Sequence, residues 1–441
     1  LEITYRHFRS NLNDVVDLSH GSDTPLVLCT VGVNLRNTPP FASLNRRELA
    51  GDAFDRWRRH FSRGVALQEA GRFLEAAESL GAALEIDDEH AEAQFRLAQC
   101  HWEMGDAAAA REGFERARDL DTLRFRADST INTIIREVAA SADGGVRLLD
   151  VANHFSALAP DGIPGGEFFY EHVHLSFHGT YVTAKALVDE LAPLLPPWVQ
   201  ERRATPSLPT DAECASRLAF TGLSQHEIGL QILDRMRRPP FTNQAGHEAR
   251  FATVSEHIAP LEAFARPPRL ERVLDYYRRL MEEHPEDWML RYNLASALVR
   301  YANRPDLAEG HYREVTHRVP TFGRGHAFLG DALLAQGKAE KAAESYRRSL
   351  EYHPVTSPLW IGLGASLAQS GEREEACRSY GRAAEVDPGN PLAHRLRGEC
   401  LLDLDAGSGR NRGRALEHLR RAVEIDPENA EARSALERAG G

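Results

Sequence analysis

The sequence predicts a mainly α protein in which helical hairpins stack into two α-solenoid arrays, joined to a partial α/β domain with a parallel sheet. Three observations lead to this prediction. Small, aromatic and proline residues recur at a step of 34 in two parts of the 441-residue chain. A short apolar run rich in β-branched residues precedes the first of these parts, as in a buried strand. A second such run follows the same part.

The longer repeat array lies in the C-terminal half. Gly330, Gly364 and Gly398 are 34 residues apart. The same step separates Ala342 and Ala376, Tyr346 and Tyr380, Gly337 and Gly371, and Pro354 and Pro388. Small residues let two helices approach closely, glycine permits a left-handed turn between them, and proline ends a helix. The pattern resembles that of tetratricopeptide (TPR) repeats, and it predicts about four repeats plus a capping helix in residues 269–441.

A second array with the same step lies nearer the N-terminus. The pairs are Gly71 and Gly105, Ala76 and Ala110, Ala83 and Ala117, and Asp87 and Asp121. We therefore predict two further TPR repeats in residues 51–122 and a helical connector in residues 198–268.

Stacked TPR hairpins form a curved surface whose inner face, lined by the first helix of each repeat, commonly takes a peptide or a helix. The repeats thus predict a protein–protein interaction scaffold that binds a protein or peptide through these concave faces. The alternative is that the arrays only brace another domain or a dimer. Some TPR domains hold a C-terminal carboxylate with a Lys/Asn clamp, but the corresponding positions here hold Tyr292, Ser296, Ala327, Asp331, Ile361 and Ala365. The identity of the partner is therefore not indicated.

Residues 1–50 and 123–197 have a different pattern, that of helices alternating with strands. Strands are predicted at 25–32 and 146–152, and helices at 5–17, 128–140 and 179–191. This alternation is typical of a parallel α/β sheet, here interrupted by the inserted repeats.

One segment of this α/β part resembles a known family. Residues 145–150, Gly-Val-Arg-Leu-Leu-Asp, and 170–179, Tyr-Glu-His-Val-His-Leu-Ser-Phe-His-Gly, resemble the final unit of SGNH (GDSL-type) hydrolases, which have a flavodoxin-like sheet. In that family an Asp-x-x-His block carries the acid and base of a Ser-His-Asp arrangement. Glu171-x-x-His174 has the same spacing, with Glu replacing Asp. The resemblance implies that His174 draws a proton from a serine while Glu171 orients the imidazole.

The loop after the first strand is the second part of this predicted site. Open α/β sheets place their sites at strand ends, so Asn34, Arg36 and Asn37 are predicted active-site loop residues. A purely structural hydrogen-bonded loop at a helix start remains the alternative interpretation of Glu171 and His174.

The family's Gly-Asp-Ser block, which carries the nucleophile, does not occur in this sequence, and residue 1 is Leu. We expect the serine to lie upstream of Leu1 and this chain alone to be inactive. The alternative function is then an SGNH-type esterase or acyl-transfer enzyme whose inserted repeats form a lid or substrate platform. The combination is similar to bacterial proteins that join an SGNH-like domain to TPR arrays.

Composition disfavours several other functions. A net charge of -12 repels the phosphate backbone of nucleic acids. No run of about 18 apolar residues predicts a membrane span, and we favour a cytoplasmic location, with any targeting or anchor segment preceding Leu1. The five scattered cysteines form no CxxC pair. We expect no cofactor and no metal: His172, His174 and His178 alternate on one loop, but the sequence offers no evident further ligand.

Overall fold

A computed structural model describes residues 1–143, 145–202, 208–405 and 409–440. The chain forms two compact units. The first unit comprises Leu1–Ser216 and Ser224–Leu261, and the second comprises Arg217–Leu223 and Glu262–Gly441. Much of the segment expected to be a connector thus packs within the first unit.

The elements up to Leu261 follow the expected alternation. In chain order they are α1 (Glu2–Gly21), β1 (Leu26–Cys29), α2 (Gly51–Glu69), α3 (Phe73–Ile86), α4 (Ala91–Glu103), α5 (Ala107–Leu120), α6 (Ser129–Ser141), β2 (Val146–Leu149), α7 (Val151–Leu158), α8 (Phe177–Leu191), α9 (Pro197–Gln200), α10 (Asp211–Arg217), α11 (Gly222–Met236) and α12 (His247–Ile258). Short 3₁₀ segments span Pro160–Gly162, Ala192–Leu194, Phe241–Asn243 and Ala259–Ala265.

Strands β1 and β2 pair in parallel, with Leu28 opposite Leu148. One face of the pair packs against α1 and α6 through Leu28 and Ile135, and the other packs against α7 and α8 through Leu149. The expected parallel pair and its helices on both faces are therefore present, and within the described ranges the sheet has two strands. This small sheet does not by itself establish an SGNH-type domain.

The second strand is shorter than predicted and is followed by an unpredicted helix. The carboxylate of Asp150 accepts a hydrogen bond from the backbone N–H of Asn153, which is an N-cap. Asp150 also accepts hydrogen bonds from Arg136, at 2.7 and 3.0 Å, and from Thr30 at 2.8 Å. Because Asp150 caps α7 from this fixed position, β2 ends at Leu149.

The inserted array consists of the consecutive hairpins α2–α3 and α4–α5. Gly71 and Gly105 lie at the turn inside each hairpin with φ of +71° and +81°. Only glycine adopts such angles without strain, so the step of 34 in the sequence marks these two turns.

The second unit contains the longer array. Its helices are α13 (Arg269–Glu283), α14 (Trp288–Arg300), α15 (Pro305–Arg318), α16 (Gly323–Ala335), α17 (Ala339–Tyr352), α18 (Ser357–Gln369), α19 (Arg373–Val386), α20 (Pro391–Asp405), α21 (Arg412–Ile425) and α22 (Ala430–Gly440). Each first helix packs against the following second helix, from α14–α15 to α20–α21. The mainly α solenoid expected from the sequence is confirmed. No helix in the described ranges combines the length and the apolar character needed to cross a bilayer.

Two of the three repeated glycines fit under aromatic rings, and the third, Gly398, lies against Leu419. Gly330 lies beneath the ring of Tyr346, and Gly364 beneath that of Tyr380. A Cβ atom on Gly364 would lie 2.6 Å from Cε1 and 2.7 Å from Cδ1 of Tyr380. The repeat spacing is thus the spacing of one packing contact inside each hairpin.

We predict that Gly364→Ala lowers the free energy of unfolding by about 1–3 kcal/mol, because the added methyl group overpacks a buried contact. Gly310→Ala, in the middle of α15 with no heavy atom within 4 Å of the added Cβ, should instead raise it by about 0.5–1 kcal/mol. Urea unfolding of both variants measures the difference. Equal effects of the two substitutions would contradict the packing argument.

Candidate functional site

The loop after β1 is fixed by a buried ion pair. Arg126 donates hydrogen bonds to the carbonyl oxygens of Asn34 at 3.1 Å and Thr38 at 2.7 Å. It also pairs with Asp121 at 3.5 Å, and both side chains are only 2% exposed. Asp121, at the end of α5, accepts a hydrogen bond from the backbone N–H of Phe41 at 2.9 Å. The last helix of the inserted array therefore holds the strand-end loop in place.

The same loop covers the first helix of the second inserted repeat. Phe95, on α4, is buried in one cluster with Val33 and Leu35. The guanidinium of Arg36 lies 4.9 Å from the ring centroid of Trp102, also on α4. The loop after β1 thus covers the α4 surface that would otherwise line a peptide groove.

Asn34 joins the loop to the segment that carries Glu171. Its side-chain N–H₂ donates to the carbonyl oxygen of Glu171 at 2.9 Å, and its backbone N–H donates to that of His172 at 3.0 Å. Its side-chain oxygen accepts from the backbone N–H of Asn37 at 2.9 Å. The two segments expected to form one site are therefore in direct contact.

Arg36 and Asn37 hold a different neighbouring segment. Arg36 pairs with Glu167 at 2.5 Å and donates to the carbonyl oxygen of Ile163 at 3.3 Å. The side-chain oxygen of Asn37 accepts from the backbone N–H of Gly166 at 2.8 Å. Arg36 and Asn37 therefore hold residues 163–167 in place.

The carboxylate of Glu171 contacts two imidazoles. Its Oε1 atom contacts Nδ1 of His174, and its Oε2 atom accepts a hydrogen bond from the backbone N–H of His172. Oε2 also lies against Nδ1 of His172, but without the alignment of a hydrogen bond. Burial raises the pKa of Glu171, but hydrogen bonding from His172 and the electrostatic interactions with both histidines outweigh it and lower the pKa to about 2. The carboxylate is ionised at neutral pH.

The outer nitrogen of His174 already has a partner. The guanidinium of Arg235, on α11, donates towards Nε2 of His174 at 2.9 Å and lies 3.2 Å from Nδ1 of the same ring. Nδ1 of the same ring faces the Glu171 carboxylate. The His174 side chain is 50% exposed. Sequence reasoning missed Arg235, because nothing local signals a contact between residues 61 positions apart.

His178 does not join the other two histidines. Its Nδ1 atom lies 2.7 Å from Oδ2 of Asp211, and its ring stacks on Phe168 with centroids 5.8 Å apart. Instead, possible ligand atoms of Glu171, His172 and His174 lie within 4.8 Å of one another. Glu171, and not His178, is the third member of this group.

A separate polar cleft of about 270 Å³ lies at the ends of both strands, lined by Val31 and Ala152 among others. Three arginines contribute to its wall, and each is paired with a carboxylate: Arg111 with Glu115 at 3.0 Å, Arg118 with Asp119 at 2.8 Å, and Arg136 with Asp150 at 2.7 Å. Because each guanidinium already has a carboxylate partner, the cleft is not a strong anion site.

The second unit presents a different surface on its first helices. At the repeat step of 34, Ala327, Ile361 and Arg395 succeed one another, as do Asp331, Ala365 and Glu399. We call these six residues, together with Tyr292 and Ser296 of α14, the inner face. All of them except the exposed Asp331 are partly buried. Arg395 pairs with Glu399 at 2.9 Å and with Glu431 at 2.9 Å.

We predict that Glu171→Gln lowers the free energy of unfolding by about 3 kcal/mol at pH 7, the value of its pKa shift. A depressed carboxyl pKa stabilises the fold above the unfolded value near 4.5 and loses this effect as the pH falls towards 2. The difference between wild type and variant should therefore shrink below pH 4.5. Urea unfolding between pH 7 and pH 3 measures it, and a difference that grows at low pH would contradict the assignment.

Comparison with family models matches residues 67–127, 298–355 and 361–430 to the tetratricopeptide repeat. Comparison with curated proteins gave no match. Among solved structures, the chain is similar to MamA residues 41 to the end from Desulfovibrio magneticus RS-1, at 17% identity and TM-score 0.35, over 41% of this chain and 97% of that one. It is also similar to YrrB, described as a TPR protein with an unusual peptide-binding site, at 20% identity and TM-score 0.34, over 46% and 96%.

A third similar structure is TTC0263, a thermophilic TPR protein from Thermus thermophilus, at 21% identity and TM-score 0.32, over 41% of this chain and 94% of that one.

The SGNH-type resemblance of residues 145–179 stays a prediction. The matched segments lie in both units. The chain therefore contains tetratricopeptide repeats in both units.

Proposed function

We propose that the chain is a protein-interaction scaffold whose inner face, in the C-terminal array, binds a segment of a partner protein. The observation that carries this proposal is the contrast between the two arrays. In the inserted array, Phe95 and Trp102 are covered by the strand-end loop. On the inner face, side chains such as Ile361 and Ala365 stay partly exposed.

The chemistry of the inner face favours an apolar partner segment. Its apolar members are Ala327, Ile361 and Ala365, and the carboxylate of Asp331 beside them already accepts a hydrogen bond from the hydroxyl of Tyr346. The guanidinium of Arg395 is already shared between two carboxylates, so it is a poor anchor for a C-terminal carboxylate. An amphipathic helix or an extended peptide with apolar side chains fits this surface, since TPR grooves take both forms.

We predict that Ile361→Glu weakens peptide binding at least about 10-fold, because a charge placed in an apolar contact must be desolvated on binding. A phage-displayed random peptide library, selected against the full chain, supplies the ligand. Fluorescence anisotropy of the selected peptide then compares wild type with variant.

Glu374→Arg, an exposed position on the second helix α19, is the matched control and should leave the affinity unchanged. Thermal unfolding of both variants checks that they fold. Peptides lost by the control but retained by Ile361→Glu, or the failure of selection to yield any binder, would count against the inner face.

A hydrolase or acyl-transfer enzyme of SGNH type is the second candidate, and the contact between Glu171 and His174 favours it. A carboxylate at Nδ1 is what a general-base histidine requires. The base nitrogen Nε2, however, accepts a hydrogen bond from Arg235. The ring's hydrogen bonds in the described part of the chain thus go to a carboxylate and a guanidinium, and neither is a nucleophile.

We predict that the chain hydrolyses p-nitrophenyl acetate no faster than its His174→Ala variant, because no nucleophile among the residues that the structure describes is hydrogen-bonded to the imidazole. Release of p-nitrophenolate, followed by its absorbance, is the measurement. Turnover that disappears in His174→Ala would establish the enzyme and displace the scaffold as the sole function.

A further inference from the structure

Three side chains on one short loop direct nitrogen and oxygen atoms at a common point. The carboxylate of Glu171 contacts Nδ1 of both His172 and His174, and possible ligand atoms of the three residues lie within 4.8 Å of one another. The backbone holds this arrangement, since the N–H of Tyr170 donates to the carbonyl oxygen of His174 at 2.8 Å. Asn34 fixes the carbonyl oxygens of Glu171 and His172, as described above. The donor atoms are therefore presented by a fixed loop.

His172 supplies an independent observation. The residue is only 9% exposed, and its Nδ1 atom is buried without a hydrogen-bond partner. The edges of three aromatic rings surround the imidazole, with centroid distances of 5.0 Å to Phe41, 5.4 Å to Phe241 and 6.4 Å to Phe125. These rings leave Nδ1 directed at the Glu171 carboxylate. A divalent cation placed between Nδ1 and this carboxylate would bind both groups.

We propose that Glu171, His172 and His174 bind a divalent transition-metal ion of the Zn²⁺ class. Two imidazole nitrogens and one carboxylate oxygen suit Zn²⁺, Co²⁺ or Ni²⁺, whereas Mg²⁺ and Ca²⁺ prefer oxygen ligands throughout. Tetrahedral Zn²⁺ places its donors about 3.3 Å apart, so small side-chain rotations bring these three to a bound ion. Two histidines and one glutamate are a ligand set of catalytic zinc sites, in which water fills the fourth position. The half-exposed His174 leaves that position open to solvent.

Metal binding competes with Arg235. An imidazole bound to a metal through Nδ1 carries its proton on Nε2, and a protonated Nε2 cannot accept the hydrogen bond that Arg235 donates. The positive guanidinium also repels a cation. Arg235 is an exposed side chain on α11 and must turn away when the ion binds. Its removal therefore strengthens metal binding.

The proposal is tested by titrating the full, metal-free chain with Zn²⁺ in competition with a chromogenic chelator. One equivalent is expected to bind. His174→Ala, which removes a half-exposed side chain, should weaken Zn²⁺ binding by more than about 100-fold. A loss of this size exceeds the roughly 10- to 100-fold typical when a residue that only hydrogen-bonds to a metal ligand is mutated. His172→Ala should do the same, and Arg235→Ala should tighten binding. The visible spectrum of Co²⁺ added in place of Zn²⁺ reports tetrahedral nitrogen and oxygen ligation.

His178→Ala is the matched control, because His178 lies on the same segment but contacts Asp211. It should bind Zn²⁺ as the wild type does. Circular dichroism of each variant checks the fold, and His174→Ala keeps the test valid if His172→Ala does not fold. Absence of stoichiometric binding, unchanged affinity in His174→Ala, or an equal loss in His178→Ala would each overturn the proposal.

Discussion

The first unit depends on one buried ion pair, between Arg126 and Asp121. Burial lowers the pKa of Arg126 to about 10, although the charge of Asp121 opposes that change. Removing either partner would leave an uncompensated buried charge, at a cost of about 3–5 kcal/mol. Through this pair the end of α5 fixes the carbonyl oxygen of Asn34, and Asn34 in turn holds the backbone of Glu171. The geometry around Glu171 therefore rests on the inserted repeats.

The two arrays have the same hairpin packing, but their first helices are covered to different extents. In both, a glycine with positive φ turns the chain between two helices, and small residues bring those helices together. The difference lies in what contacts the first helices. Val33 and Leu35 pack on Phe95 in the inserted array, whereas Ile361 and Ala365 in the C-terminal array remain partly exposed. The repeat matches therefore do not distinguish the two arrays, which differ in how far their first helices are covered.

Sequence reasoning succeeded where contacts are local. The contact between Gly364 and Tyr380 lies within one hairpin, so it recurs at the repeat step and is visible as spacing. The contact between Glu171 and His174 spans three residues and is equally visible. The bond from Arg235 to His174 has no such signal, because its partners belong to elements far apart in the chain.

The two tautomers of His174 permit different roles for this side chain. With the proton on Nδ1, the ring donates to Glu171 and the Nε2 lone pair can accept from the guanidinium of Arg235, 2.9 Å away. With the proton on Nε2, the Nδ1 lone pair becomes available to a cation and the bond to Arg235 is lost. A general base needs the first tautomer with Nε2 free, and a metal ligand needs the second. Either role therefore requires the guanidinium of Arg235 to move away from the ring.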